Sequence, residues 1–164
     1  MDTTNGRPTI RSFAPGDLTA VLDITARGWK GVSMYEMLQE RHGKLGPQQW
    51  WERKRDAIRS ICEENPEGVI VAELGDRVVG YAGYVVDEVC GVGTVCDNAV
   101  DPEYRGRGIG SAMHEWVLAH FRSLGLRVAF VSTLEQDEPA QRMYERHGFR
   151  EIARSIHYSQ ELTP

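Results

Sequence analysis

Apolar and polar positions alternate along this chain in two rhythms, and the switches between them mark out its elements. Residues 9–13 (T-I-R-S-F) alternate like a short strand. Pro15-Gly16-Asp17 then turns into a helix with Asp17 at its N-cap and Leu18, Val21, Leu22 and Thr25 on the buried stripe. Ser33-Met34-Tyr35-Glu36 matches a capping box and predicts a short helix from Met34 to about His42, stopped by Gly43. Gly46-Pro47 predicts the start of a longer helix that turns Ala57, Ile58, Ile61 and Cys62 to the core and ends at Asn65-Pro66. Residues 68–74 and 77–86 read as strands joined by a tight hairpin at Gly75-Asp76. A third strand over 92–100 completes an antiparallel meander and stops at Asp101-Pro102.

Helical spacing returns at Ile109, Ala112, Met113, Trp116, Val117, Phe121 and Leu124. Residues 126–134 predict a strand that, after this crossover helix, runs parallel to 92–100. Asp137-Glu138-Pro139 opens a last helix with Ala140, Met143, Tyr144 and His147 on one face, closed by Gly148. Phe149 to about Gln160 is extended, either as two short strands or as one long strand that pairs with another subunit in a homodimer. The predicted order is β-α-α-β-β-β-α-β-α-β, an α/β (α+β) architecture.

Composition narrows the picture only a little. A length of 164 residues suits one domain over 1–164, with a flexible N-terminus over 1–8, that buries about 70% of its unfolded surface. No apolar run reaches the roughly 18 residues that cross a bilayer, and the first eight residues lack the apolar segment of a signal peptide. Three cysteines (Cys62, Cys90 and Cys96) show no paired spacing, so reduced thiols and a cytoplasmic location are expected. A net charge of −5 argues against a nucleic-acid surface. No His, Cys or Asp spacing suggests a metal site.

The chemistry concentrates between the third strand and the helix after it, at Arg105-Gly106-Arg107-Gly108-Ile109-Gly110-Ser111. A glycine-rich loop at a helix start leaves backbone N–H groups uncovered at the positive end of the helix dipole, which suits a phosphate or diphosphate. The Gly-Lys-Ser/Thr of a P-loop is absent from the chain, and Ser111 stands where a dinucleotide fingerprint has its third glycine. The string from Asp101-Pro102 through Tyr104-Arg105-Gly106 to Gly108-Ile109-Gly110 resembles the acyl-CoA loop of the GNAT superfamily of N-acyltransferases. Asp137-x-x-Ala140-x-x-Met143-Tyr144-x-x-x-Gly148-Phe149 resembles the family's second motif, and the element order agrees over essentially the whole chain.

That resemblance implies a GNAT fold with a mixed central sheet of about six to seven strands and flanking helices. It implies an N-acetyltransferase that moves the acetyl group of acetyl-CoA directly to a primary amine, on a small molecule or a peptide. The diphosphate would lie on the amides of Arg105, Gly106, Arg107, Gly108, Ile109, Gly110 and Ser111, with Ser111 adding its hydroxyl. The pantetheine would pair with the backbone of Asn98, Ala99 and Val100. Tyr144 would protonate the leaving thiolate, the alternative being a core tyrosine. Trp29 and Tyr35 would contact the acceptor.

Two departures from the family pattern stand out. The third strand lacks the glutamate often used as a base; Asp97 is its one carboxylate, with a water relay or Glu88 as alternatives. Asp137 replaces the usual Asn, and either touches the cofactor region or caps its helix. Cys96 is a weak candidate for substrate contact or nucleophilic attack, because no basic neighbour is visible to lower its pKa. His114, His120 and His147 read as packing or partly exposed residues. An acyl-CoA-binding sensor or partner module without catalysis is the rival to an enzyme.

Overall fold

The computed structural model describes residues 6–162. Five strands form one sheet in chain order: β1 (Thr9–Ser12), β2 (Val69–Leu74), β3 (Arg77–Asp87), β4 (Val92–Val100) and β5 (Val128–Val131). The first four pair antiparallel, and β5 joins β4 in parallel after a helical crossover. Two layers of helix cover the sheet. On one face lie α1 (Leu18–Gly28) and α3 (Trp50–Glu64), packed with Tyr81 and Ala99 around Val21, Ile24, Ile58, Val69 and Val71. On the other face, α4 (Ile109–Ser123) seats Ile109, Met113, Val117 and Phe121 on Ile70, Ala82, Tyr84 and Val95. Each fully buried side chain of this size stabilises the fold by about 1.5–3 kcal/mol. The approach is close enough that a Cβ on Gly93 would meet the Phe121 ring at 2.5 Å.

The helix between α1 and α3, α2 (Met34–His42), packs against α3, and the last helix, α5 (Glu138–Arg146), follows β5. The hairpin at Gly75 (φ +60°), the stop of α2 at Gly43 (φ +76°) and the parallel β4–β5 pairing agree with the sequence reading.

Several expectations need correction. Strands number five among the described residues, not six to seven, because no residue of 149–162 enters the sheet. A strand needs an edge to pair with, and beyond half-buried Phe149 residues 150–162 instead lie exposed, tied by Arg154 to Glu135 (2.7 Å) and by Ser159 to His42 (2.9 Å). The strand expected over 126–134 shrinks to Val128–Val131, where β4 stops pairing with it. Helix α3 begins at Trp50 rather than at Gly46-Pro47, since the Glu52 carboxylate reaches back to accept the Gln49 N–H (2.7 Å) and closes the first turn there. Asp17 precedes α1 but does not cap it; Arg11 and the Ala14 N–H take its carboxylate. In place of a reciprocal capping box at Ser33, buried Glu36 accepts the N–H of Gly31 (2.5 Å).

Candidate functional site

The site grows from a defect in the sheet. β4 and β5 pair only from Val92–Val95 against Val128–Val131, so Cys96 to Val100 continue without a neighbour on that side. On the other side Asn98, Ala99 and Val100 remain paired with Ala82, Tyr81 and Gly80 of β3. A bulge marks where the strands part: Cys96 and Asp97 together oppose Gly83. Two successive side chains therefore emerge at the cleft, and the free edge beyond them can take an extended chain as an added strand.

The glycine loop closes one end of this slot. Asp101 bends the chain into a short turn over Pro102–Tyr104 by accepting the Glu103 N–H (3.1 Å). Gly106 and Gly108 both adopt φ +76°, a region that costs side-chain-bearing residues about 1–2 kcal/mol. No atom lies within 4 Å of a Cβ built at either glycine, so backbone conformation rather than crowding requires them. Gly108 sits at the N-cap of α4, where no side chain caps the first turn. The open amides of Ile109, Gly110 and Ser111 follow, while the Ile109 side chain itself is 2% exposed and belongs to the core. This is a fit for a diphosphate: converging donors, a positive helix end and no competing cap.

The arginines of the loop are otherwise engaged. Arg105 donates to the Gly28 carbonyl at the end of α1 (2.7 Å), and the Arg107 guanidinium lies 5.0 Å from the Tyr104 ring centroid. Arg27 grips buried Asp101 with two hydrogen bonds of 3.0 and 2.9 Å. The glycine loop is thus bound to the end of α1, a tie that local spacing in the sequence does not reveal.

α5 places Tyr144 against the free edge of β4. The ring is 8% exposed and packs on His114 (5.1 Å between centroids) and Phe149 (5.8 Å). Asn98 stands on that edge, its side-chain amide donating to the Cys96 carbonyl (3.2 Å). Burial pushes the phenol's pKa up, only partly opposed by Asn98. Tyr144 is thereby held in its protonated form, able to donate its phenolic proton. Asp137 caps α5 by accepting the Ala140 N–H (3.3 Å) and takes a hydrogen bond from the Thr133 hydroxyl (3.1 Å).

Opposite Tyr144, on the α1–α3 face, Asp97 meets Lys54 of α3 at 2.5 Å. The Lys54 ammonium lies 3.7 Å from the Trp29 ring centroid, and the Trp29 indole N–H donates to the Tyr81 hydroxyl (2.9 Å). Tyr35 is stacked under the Arg53 guanidinium at 4.8 Å. Cys96 is half-buried beside Asp97, and burial raises its thiol pKa, which weakens it as a nucleophile. Among the described residues no group of three or more His, Cys, Asp or Glu could hold a metal ion. Nor is any helix among them long and apolar enough to cross a membrane.

The sequence reading missed Lys54; its reading of His114 as a packing residue agrees with a ring buried against Tyr144. The Lys54 position carries a faint signal, since it falls one and two helical turns before Ile58 and Cys62 on a stripe otherwise apolar.

Comparison with known proteins places the chain in a family. The Acetyltransferase (GNAT) family matches residues 31–149. The chain belongs to the GNAT family. A mycothiol acetyltransferase of Thermomonospora curvata is 30% identical over 156 residues, which cover 92% of this chain and 46% of that protein. The chain spans about half the length of the curated relatives of this name that it matches from end to end. Among solved GNAT structures, the ribosomal-protein-S18-alanine N-acetyltransferase of Escherichia coli superposes with a TM-score of 0.64 at 20% identity, covering 90% of this chain and 80% of that one. The PaiA N-acetyltransferase of Thermoplasma acidophilum, solved with coenzyme A, gives 0.67 at 14% identity, covering 88% and 91%. At such identities these two structures speak for the fold alone.

Proposed function

We propose that this GNAT chain is an N-acetyltransferase that passes the acetyl group of acetyl-CoA to a primary amine by direct attack in a ternary complex. The observation that carries the reading is the parting of β4 from β5 at Cys96, with the glycine loop at one end of the slot and Tyr144 on its wall. The amides of residues 105–111 hold the diphosphate, and the free edge of Asn98–Val100 aligns the pantetheine. A backbone N–H of that edge donates to the thioester oxygen as it gains charge. Tyr144 gives its proton to the departing thiolate and recovers one from solvent, which also takes the proton that the attacking nitrogen sheds as the amide forms.

The ion pair with Lys54 weakens Asp97 as a base, because a neighbouring ammonium disfavours protonation of its carboxylate. An α-amine with a pKa near 8 is deprotonated at pH 7 for only about 1 kcal/mol, against about 4–5 kcal/mol for a lysine-like amine. α-Amines are therefore the favoured acceptors, on small molecules or peptides. The test is a panel of amines, amino acids and peptides incubated with acetyl-CoA while thiol release is recorded. Turnover with α-amines supports the reading. The engagement of Asp97 favours one second reading, an acyl-CoA-binding module without catalysis; tight acetyl-CoA binding with no turnover on any acceptor would establish it.

A further inference from the structure

We infer that Lys54 and Asp97 together select an acceptor whose reacting amine lies next to a carboxylate, the α-amino acid class. The inference rests on the acyl-transfer reading above and names the substrate class of the same cleft. It starts from a conflict on α3. Lys54, Ile58 and Cys62 occupy one stripe of that helix, and the last two are packed to 1% and 2% exposure as the sheet requires. At the cleft end of the stripe stands a lysine that is itself only 8% exposed. Burying an ammonium costs several kcal/mol even when it is paired, and an aliphatic residue would pack α3 on the sheet without that cost. Packing alone does not account for the charge.

The surroundings of the ammonium show what it offers. It carries three N–H donors. Among the described residues its hydrogen bond goes to Asp97 Oδ1, and the Trp29 ring covers a second direction. The Asp97 side chain is 29% exposed against 11% for Lys54, so the pair meets solvent on the Asp97 side, at the bulge where β4 leaves β5. An incoming molecule there meets a carboxylate oxygen and an ammonium donor side by side. A polycation gains little from them, because Lys54 already balances the charge of Asp97, and Arg53 adds a second cation over Tyr35. The buried carboxylate of α2, Glu36, is turned to the Gly31 N–H.

An α-amino carboxylate complements the doublet. Its nitrogen fits the Asp97 carboxylate oxygen that Lys54 does not take, beside the thioester, and its carboxylate fits the one Lys54 N–H that neither Asp97 nor the Trp29 ring covers. The Trp29 and Tyr35 rings then flank its side chain. Lys54 acts here as a specificity-determining residue through the acceptor's carboxylate and takes no part in the bond changes at the amine.

The experiment compares kcat/KM for acetylation of a set of L-amino acids with that of their carboxamides, using wild-type protein, Lys54→Met and Lys54→Arg. Wild type is expected to favour the acids at least about tenfold. Lys54→Met should bring that preference close to unity with the KM for acetyl-CoA unchanged, and Lys54→Arg should keep most of it. A purely structural ion pair would move both acceptor types together. Equal use of acid and amide by wild type, turnover confined to amines without a carboxylate, or a preference that survives Lys54→Met each overturns the inference and leaves the transferase reading standing. If Lys54→Met fails to fold, the wild-type comparison decides alone. No turnover on any acceptor, with acetyl-CoA still bound, overturns the transferase reading and this inference with it.

Discussion

The two sides of the cleft are built from different materials. On the cofactor side the working parts are backbone: two glycines at φ +76°, an uncapped helix start and a strand edge left free. On the acceptor side they are side chains brought together from distant places. Lys54 and Asp97 are 43 residues apart, and Trp29 and Tyr81 are 52 apart. A site made of backbone needs particular residues in a row, and a row is visible in a sequence. A site made of side chains needs only that distant positions converge, and the fold supplies that convergence. On the proposed function the same contrast separates general from particular: the backbone side would hold any molecule with the same diphosphate, and the side-chain side would choose among acceptors.

The two sides meet at Asp101, and breaking that joint should have the largest effect. Its carboxylate is 1% exposed, bound twice by Arg27, at 3.5 Å from Arg77 and to the Glu103 N–H. Burial alone would raise its pKa, but Arg27, Arg77 and the turn amide outweigh burial and leave it lowered. Asp101→Ala should cost about 2–3 kcal/mol in urea unfolding at pH 7, because several charge-assisted bonds are lost while Arg27 can rehydrate. The sign with pH follows from the lowered value. The carboxylate's contribution is complete above the ordinary Asp range near 4 and disappears as pH falls through the depressed native value. The gap between wild type and Asp101→Ala should therefore close in acid. A gap that stays constant from pH 7 to pH 2 would mean that shape, not charge, joins the two sides.

Next in size is the loop. Gly108→Asp adds both φ strain and a negative charge where the diphosphate is placed, and should raise the dissociation constant for coenzyme A by at least about 100-fold. Gly108→Ala, which carries the strain without the charge, should do much less. Binding that survives Gly108→Asp would move the diphosphate away from this loop.

Particular residues show how far the chain could be read in advance. The strand-to-helix passage from Val92 to Ser123 was legible because Pro102, Gly106 and Gly108 enforce local geometry whatever surrounds them. Tyr144 was legible as part of a short motif, although its packing against His114 of α4 was not. The pairing of Asp97 was hidden: alternation along a strand gives the face a side chain points to, but Lys54 crosses from another layer. The bulge that sets Cys96 beside Asp97 was hidden as well, since it depends on register with Gly83 of β3. The number of strands at the end of the chain was less legible for a physical reason: a strand is made by its neighbour, and among the described residues of this chain none pairs with 150–162.

A smaller effect is expected at Tyr144. Tyr144→Phe keeps the ring against His114 and Phe149 and removes only the proton donor. It should lower kcat about 10–100-fold, with little change in the KM for acetyl-CoA. Because burial raises the phenol's pKa, this group should add no alkaline limb to the rate profile below about pH 10. An unchanged kcat would reassign Tyr144 to packing and leave the cofactor side with backbone alone.

The smallest effect at neutral pH should come from His114, which tests whether the cofactor side is as purely backbone-built as the contrast implies. Its ring is fully buried under Tyr144, with Nδ1 at 3.1 Å from the Gly110 carbonyl and no partner for Nε2. A carbonyl can only accept, so Nδ1 carries the proton and Nε2 is a buried lone pair, a cost of about 1–3 kcal/mol. Burial, aided by nearby His147, pushes the imidazole pKa down to about 4 from 6.5. The unfolded chain then binds a proton before the native one does, so stability should fall as pH drops from about 6.5 towards 4. His114→Leu fills similar space without the polar atoms. It should stabilise the protein by about 1 kcal/mol at pH 7 and remove that acid slope, widening the difference by about 2–3 kcal/mol near pH 4. If the two unfolding curves instead run parallel with pH, the imidazole has a partner in solution. The wall behind Tyr144 would then be polar, and the cofactor side, like the acceptor side, would rest on side chains.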